Sequence, residues 1–172
     1  MGYHFWDAIP RTPTDTTRIA AYIAEQIAGL ATDPGEGHIT IFPHSYDSIG
    51  QGTWALGVQA SQWLYGYFYN TTQANLDNIS YKVYLAAGTY SLMLFTLLSE
   101  TSGIVDIDID AVEVASWDRY QFVVQWNVRR IQTGIVIATP GLKTLKLRLD
   151  GKNPSATAYR LHFGYLSLWR TE

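Results

Sequence analysis

From residue 38 onward apolar and polar positions alternate with a period of two, the spacing of a half-buried strand. His38-Ile39-Thr40-Ile41-Phe42 opens the pattern. Further strand signals follow at 53–59, 63–69, 78–86, 89–98, 103–110, 120–128, 133–139, 142–149 and 159–169. Turn residues punctuate them, among them Ala87-Gly88, Gly103, Pro140-Gly141 and the run Asp150-Gly151-Lys152-Asn153-Pro154. Short strands with regular turn signals and no βαβ rhythm predict an all-β sandwich or barrel of about 8–10 antiparallel strands. The period before residue 38 is different. Ile19, Ile23, Ile27 and Leu30, with Tyr22, fall on one helical stripe over 14–30. Thr14 or Asp15 can cap that helix, and Gly29 followed by Asp33-Pro34-Gly35-Glu36-Gly37 stops it. Residues 1–13, with Tyr3-His4-Phe5-Trp6 and then Pro10 and Pro13, read as an extended arm. The expected organisation is therefore 1–37 as arm and short helix, and 38–172 as one β domain.

Composition narrows the classes. At 172 residues, 47% hydrophobic and 16% charged, the chain is too apolar for disorder and long enough for a proper core. Twelve Tyr and six Trp are an interface or ligand-platform signature, because both rings offer large area with a polar tip. A formal net charge of −3 carries no nucleic-acid footprint. The absence of Cys removes disulfides, thiol catalysis and thiolate metal sites. No cofactor is expected. The start Met-Gly-Tyr-His-Phe-Trp has neither the basic beginning nor the apolar run of a signal peptide, and no apolar run reaches membrane-spanning length. The expectation is a chain made in a cytoplasm, not exported, with neither membrane nor nucleic acid as partner.

Three clusters invite chemistry. Asp106, Asp108 and Asp110 alternate with Val105, Ile107 and Ile109. Their spacing suggests a calcium loop, but the positions that need Gly and an acid hold Ala111 and Trp117. Alternation accounts for them as an acidic outer face, solvated or salt-bridged by Lys143, Lys146 or Arg148, so the metal expectation is none. Trp63, Tyr65, Tyr67 and Tyr69 share one strand face, suiting burial, a subunit contact or sugar stacking. His4, His38, His44 and Asp47 have no spacing that builds a metal or catalytic site, and Ser45, Ser48 and Ser61 lack nucleophile-elbow glycines, so no enzyme is expected. Asn70-Thr71-Thr72 and Asn78-Ile79-Ser80 fit the glycosylation pattern and are expected to be idle without export.

The succession Ala87-Gly88-Thr89-Tyr90, Gly103-Ile104 with Asp106 to Asp110, Gly141-Leu142-Lys143-Thr144-Leu145-Lys146-Leu147 and Leu166-Ser167-Leu168 resembles the jelly-roll modules of the galactose-binding-like and family 6/35 carbohydrate-binding type. Residues 150–170 also resemble C-terminal modules of bacteriophage tail, fibre and head-decoration proteins. The resemblance covers 78–170 and implies a jelly-roll β-sandwich. Ala111 and Lys143 depart from it, standing where those modules usually carry Gly and His. It implies first a virion structural protein of a tailed phage, in capsid decoration, head fibre or tail, that acts by assembly. Tyr3, Phe5, Trp6, Ile19, Tyr22, Ile23 and Ile27 would then anchor a homo-oligomer, preferably a trimer, to capsid or tail proteins. The alternative it implies is a carbohydrate-binding module, with Trp63, Tyr65, Tyr67, Tyr69 and Trp117 offered to glycans.

Overall fold

The computed structural model describes residues 38–57 and 67–172, and these build two antiparallel sheets that close on one core. The strands are β1 His38–Ile41, β2 Ser48–Gln51, β3 Trp54–Gly57, β4 Tyr67–Asn70, β5 Asn78–Leu85, β6 Gly88–Leu98, β7 Ile104–Ile109, β8 Val112–Asp118, β9 Gln125–Ile137, β10 Gly141–Leu149 and β11 His162–Arg170. One sheet has the order β3-β4-β11-β6-β9, with β1 also paired to β11. The other has the order β2-β5-β10-β7-β8. This is the expected jelly-roll sandwich. The expected arm and helix over 1–37, with the expected anchor residues Tyr3, Phe5, Trp6, Ile19, Tyr22, Ile23 and Ile27, lie outside the described residues, as do Trp63 and Tyr65.

Period-two alternation explains the core. Ile79, Tyr81, Val83 and Leu85 of β5, Leu145, Leu147 and Leu149 of β10, and Val105, Ile107 and Ile109 of β7 line the inner face of one sheet. Leu92 and Leu94 of β6 meet them from the other, with Phe163, Leu166 and Leu168 of β11. Apolar burial on two facing sheets is the main stabilising term of such a fold.

Several strands differ from the sequence reading, each for a local reason. The expected pair at 120–128 and 133–139 is one long strand, β9. Thr133-Gly134 reads as a turn, but it is a bulge. Tyr90 pairs with Ile135 and Leu92 with Gln132, so Ser91 alone opposes two residues, and Gly134 takes φ 74. A second bulge follows the same logic. Thr96 pairs with Val128 and Leu98 with Gln125, which leaves Trp126 and Asn127 opposite Leu97, with Asn127 at φ 57. Two edge strands, β2 and β8, had no strong pattern, because edge strands keep much of their surface in water. The strand expected at 63–69 is seen from Tyr67 onward.

The hairpin between β7 and β8 has a two-residue loop, Asp110-Ala111, with φ 50 and φ 66. Positive φ at both positions is the primed turn that suits strand twist and that Gly normally fills. Ala111 therefore holds a left-handed conformation against its own Cβ.

The acidic strand is salt-bridged, one of the two forms its alternation allows. Asp106 and Asp108 point outward yet are only 3% and 7% exposed. Arg148 of the neighbouring β10 covers them, with Nη2 3.1 Å from Asp106, Nε 3.8 Å from Asp108 and Nη1 2.7 Å from Asp150. The Ser116 hydroxyl donates to Asp106 at 2.6 Å. Burial nevertheless raises the Asp106 carboxyl above its ordinary pKa, although Ser116 and Arg148 oppose it. Asp110 is held below its ordinary value by the backbone N–H of Thr144 and then by Lys143, whose Nζ is 3.1 Å away.

Asn70, half of a glycosylation pattern, is a wholly buried structural group. Its Nδ2 donates to Asp77 Oδ2 at 2.7 Å and to the carbonyl of Tyr159 at 2.8 Å. Its Oδ1 accepts from the backbone N–H of Leu161 at 2.8 Å. The carboxylate of Asp77 also takes the Thr72 hydroxyl and the Ala74 N–H. Two substitutions test these assignments. Asn70→Ala orphans the buried Leu161 N–H and is expected to cost about 2–3 kcal/mol in urea unfolding. Ala111→Gly is expected to raise stability by about 1 kcal/mol, read as a higher urea midpoint at unchanged slope. An unchanged or lower midpoint would contradict the strained turn.

Candidate functional site

At the end of the sandwich where β4, β9 and β11 begin and β6 finishes, the strands leave a cavity of about 260 Å³. Tyr67, Leu97, Ser99, Thr101, Val124, Trp126, Arg160 and His162 line it. Backbone irregularity brings these groups together. The β9 bulge at Trp126-Asn127 breaks alternation where Trp126 reaches the cavity wall. A further bulge at Gly164 separates Phe163, paired with Thr96, from Tyr165, paired with Phe95. Bulges commonly re-aim side chains beside sites.

Two loops frame the opening. Residues 99–103 are knotted by Ser99 Oγ to Ser102 Oγ at 3.0 Å and to Thr101 Oγ1 at 2.9 Å. Arg160 is stitched to this loop, its N–H donating to the carbonyl of Thr101 at 2.9 Å and its carbonyl accepting from Gly103 at 3.1 Å. The same carbonyl accepts from Nη2 of Arg119 at 2.6 Å. Asn70 grips the residues on either side, Tyr159 and Leu161. The position of the Arg160 backbone is thus fixed from four directions.

His162 lies among rings. Its imidazole stacks on Tyr69 at 5.4 Å between centroids and meets Tyr67 at 5.3 Å, while Tyr67 and Tyr69 are 5.6 Å apart. Burial pushes its pKa down to about 3, and the charges of Arg160 and Arg119 push the same way. The ring is therefore neutral at any physiological pH, and its Nδ1 is buried without a hydrogen-bond partner. Arg119 is 0% exposed, and burial lowers its pKa to about 9, so it stays a cation at neutral pH.

Of the expected aromatics, Tyr67 and Tyr69 do share the outer face of their sheet, with Phe68 buried on the inner face. Trp117 is not at the cavity. It pairs opposite Val105 and packs against the core. His38 and His44 do not converge: His38 bonds Ser167 and meets Trp169, whereas His44 stacks on Phe42. The sequence reading missed Trp126, Arg119, Arg160 and His162. Alternation puts Arg160 and His162 on one strand face, a usable signal. Nothing in the pattern foretold Trp126, because its direction depends on the bulge.

No protein-family model matches the chain, and no curated protein matches it. Solved structures do. A Paenibacillus xanthan lyase aligns with TM-score 0.65 and 19% identity over 77% of this chain, which spans only 13% of the lyase. The CBM36-1 domain of a multidomain xylanase, from the hindgut metagenome of Trinervitermes trinervoides, aligns with TM-score 0.61 and 16% identity, over 79% of this chain and 99% of that domain. A CBM36 module in complex with calcium and xylotriose aligns with TM-score 0.55 and 21% identity, over 76% of this chain and 99% of the module. The chain has the fold of these carbohydrate-binding jelly rolls. Modules of families 35 and 6 share it. At these identities the likeness is one of fold alone.

The calcium of that CBM36 complex has no fitting donor set among the described residues. No group of three His, Asp or Glu is arranged for a metal there, and the carboxylates of Asp106, Asp108 and Asp110 are engaged by Arg148, Ser116 and Lys143.

The depressed His162 pKa predicts an acid-sensitive fold. Between pH 6.5 and about 3 the unfolded imidazole binds a proton that the folded one refuses. The stability is complete above pH 6.5 and falls as pH drops, by about 2–3 kcal/mol at pH 4.5. Urea midpoints across that range are expected to slope for the native protein and to flatten for His162→Gln.

Proposed function

We propose that this chain is a carbohydrate-binding module whose ligand enters the cavity between Tyr67 and Trp126. One juxtaposition carries this reading: two aromatic side chains, the Ser99 and Thr101 hydroxyls, and Arg160 and His162 converge on a single concave opening. Rings offer faces to the C–H surfaces of a sugar, and a few placed polar groups orient its hydroxyls. The jelly-roll neighbours named as carbohydrate-binding modules support the same reading. The role proposed is binding, without catalysis.

Assembly on a phage particle, the first expectation from the sequence, draws nothing from these neighbours. Its anchor residues fall outside the described part of the chain.

Trp126→Ala and Tyr67→Ala are expected to weaken glycan binding at least about tenfold each, since removing a stacked ring costs on the order of 1–3 kcal/mol. A glycan array identifies the sugar, calorimetry reads the affinity, and circular dichroism checks the fold. Folded variants that bind as tightly as the native protein would remove the cavity from the reading.

A further inference from the structure

The cavity wall carries one cationic side chain, Arg160, beside the neutral ring of His162. Arg160 and His162 line it, and each keeps a buried nitrogen without a partner, Nε and Nδ1 respectively. Behind them lies Arg119, wholly buried, whose Nε and Nη1 are also unpartnered while Nη2 donates to the carbonyl of Arg160. Arg130 stands near enough to act on the charge of Arg119 and has an unpartnered buried Nε of its own. The nearby acid, Asp118, favours the charged form of Arg119 but makes no ion pair with it, its oxygens accepting from the Tyr120 N–H and from Asn153. None of the three arginines forms an ion pair among the described residues, whose ion pairs belong to Lys143 and Arg148.

Arg119 is a fully buried cation that Asp118 supports by charge without pairing with it, Arg130 and Arg160 are half-buried, and orphaned donors in a native site ask for an acceptor. General basicity does not explain them, because the chain carries a net charge of −3. The exposed carboxylate at Asp110 is at the far end of the sandwich, since β7 runs away from the 99–103 loop to reach it.

We propose that the cavity receives the negatively charged group of an acidic saccharide, a carboxylate or a sulfate, with Arg160 as the residue that contacts it. Arg119 supports this from behind by holding the carbonyl of Arg160 and adding its field. The inference rests on the carbohydrate-binding reading and specifies its ligand class. A guanidinium matches both anions through paired N–H donors, and a low-dielectric wall strengthens the attraction.

The test is affinity electrophoresis of the intact chain through gels containing polygalacturonate, alginate or chondroitin sulfate, beside neutral xylan and galactomannan. Inorganic sulfate alone serves as a competitor. Retardation by an acidic polymer, weakened by salt and reduced about tenfold or more in Arg160→Gln, is the expected result. Lys82→Gln, which removes the same charge from the other sheet, is expected to behave as native. Carboxylated and sulfated polymers separate the two anion sources. Equal retardation by neutral polymers with no effect of Arg160→Gln overturns the anionic ligand but leaves the glycan reading standing. No retardation by any polymer, and no hit on the array, overturns both. Sulfate alone binding as well as any polymer, untouched by Trp126→Ala, overturns the saccharide and leaves a simple anion site. If Arg160→Gln does not fold, the salt dependence of the native protein on acidic against neutral gels decides the matter.

Discussion

The cavity end of this sandwich depends on one buried polar clamp, Asp77 holding Asn70 and Asn70 holding the strand that carries Arg160 and His162. An amide bonded to Asp77, the Tyr159 carbonyl and the Leu161 N–H uses both of its ends. Such a group is stable in the interior only because it is bonded on every side. Its satisfaction fixes residues 159–161, which the apolar core could not do, since a long loop leads into β11. The Thr96 hydroxyl then holds the carbonyl of His162 at 2.5 Å, and the 99–103 loop closes on Arg160. The cavity is a consequence of this clamp, and a substitution at Asn70 acts on the site through Arg160.

Charge is distributed unevenly over the fold. On the five-stranded sheet Asp106, Asp108 and Asp150 are gathered around Arg148, and Asp110 is answered by Lys143. The ion pairs found among the described residues lie on or beside that sheet. At the cavity end Arg119, Arg130 and Arg160 form no ion pair among the described residues, although Asp118 favours the charge of Arg119.

The fold was largely legible because a sandwich core is written in period two. Ile79 to Leu85 and Leu145 to Leu149 state their inner face residue by residue. The bulges were not legible: Thr133-Gly134 looks like a turn in any local reading, and only the long partner strand β6 keeps it within β9. Edge strands such as β8 carry a weaker pattern because one side pairs with nothing. The acidic strand showed its alternation openly, but whether water or Arg148 would meet Asp106 is a matter of register, which local sequence does not contain. The site was the least legible part. Ser99, Trp126, Arg160 and His162 come from separate loops and strand ends, and their convergence is a property of topology and of two bulges.

The two ends of the sandwich are therefore finished by different chemistry. The far end is finished by a hairpin strained at Ala111 and by the exposed Lys143–Asp110 ion pair, neither of which is worth much to the fold. The cavity end is finished by buried hydroxyls, amides and guanidinium groups, with Ser99, Ser102, Thr96, Asn70 and Arg119 all withdrawn from water. Polar groups in that position narrow the allowed geometries, because each must keep its partner, and so they define a cavity more sharply than apolar packing does. They also leave donors that apolar packing would not. On the proposed reading, an acceptor supplied from outside would complete the bonding at that end and stabilise the folded chain by mass action. On that reading binding and local stability are linked through Arg160, whose carbonyl Arg119 holds from behind.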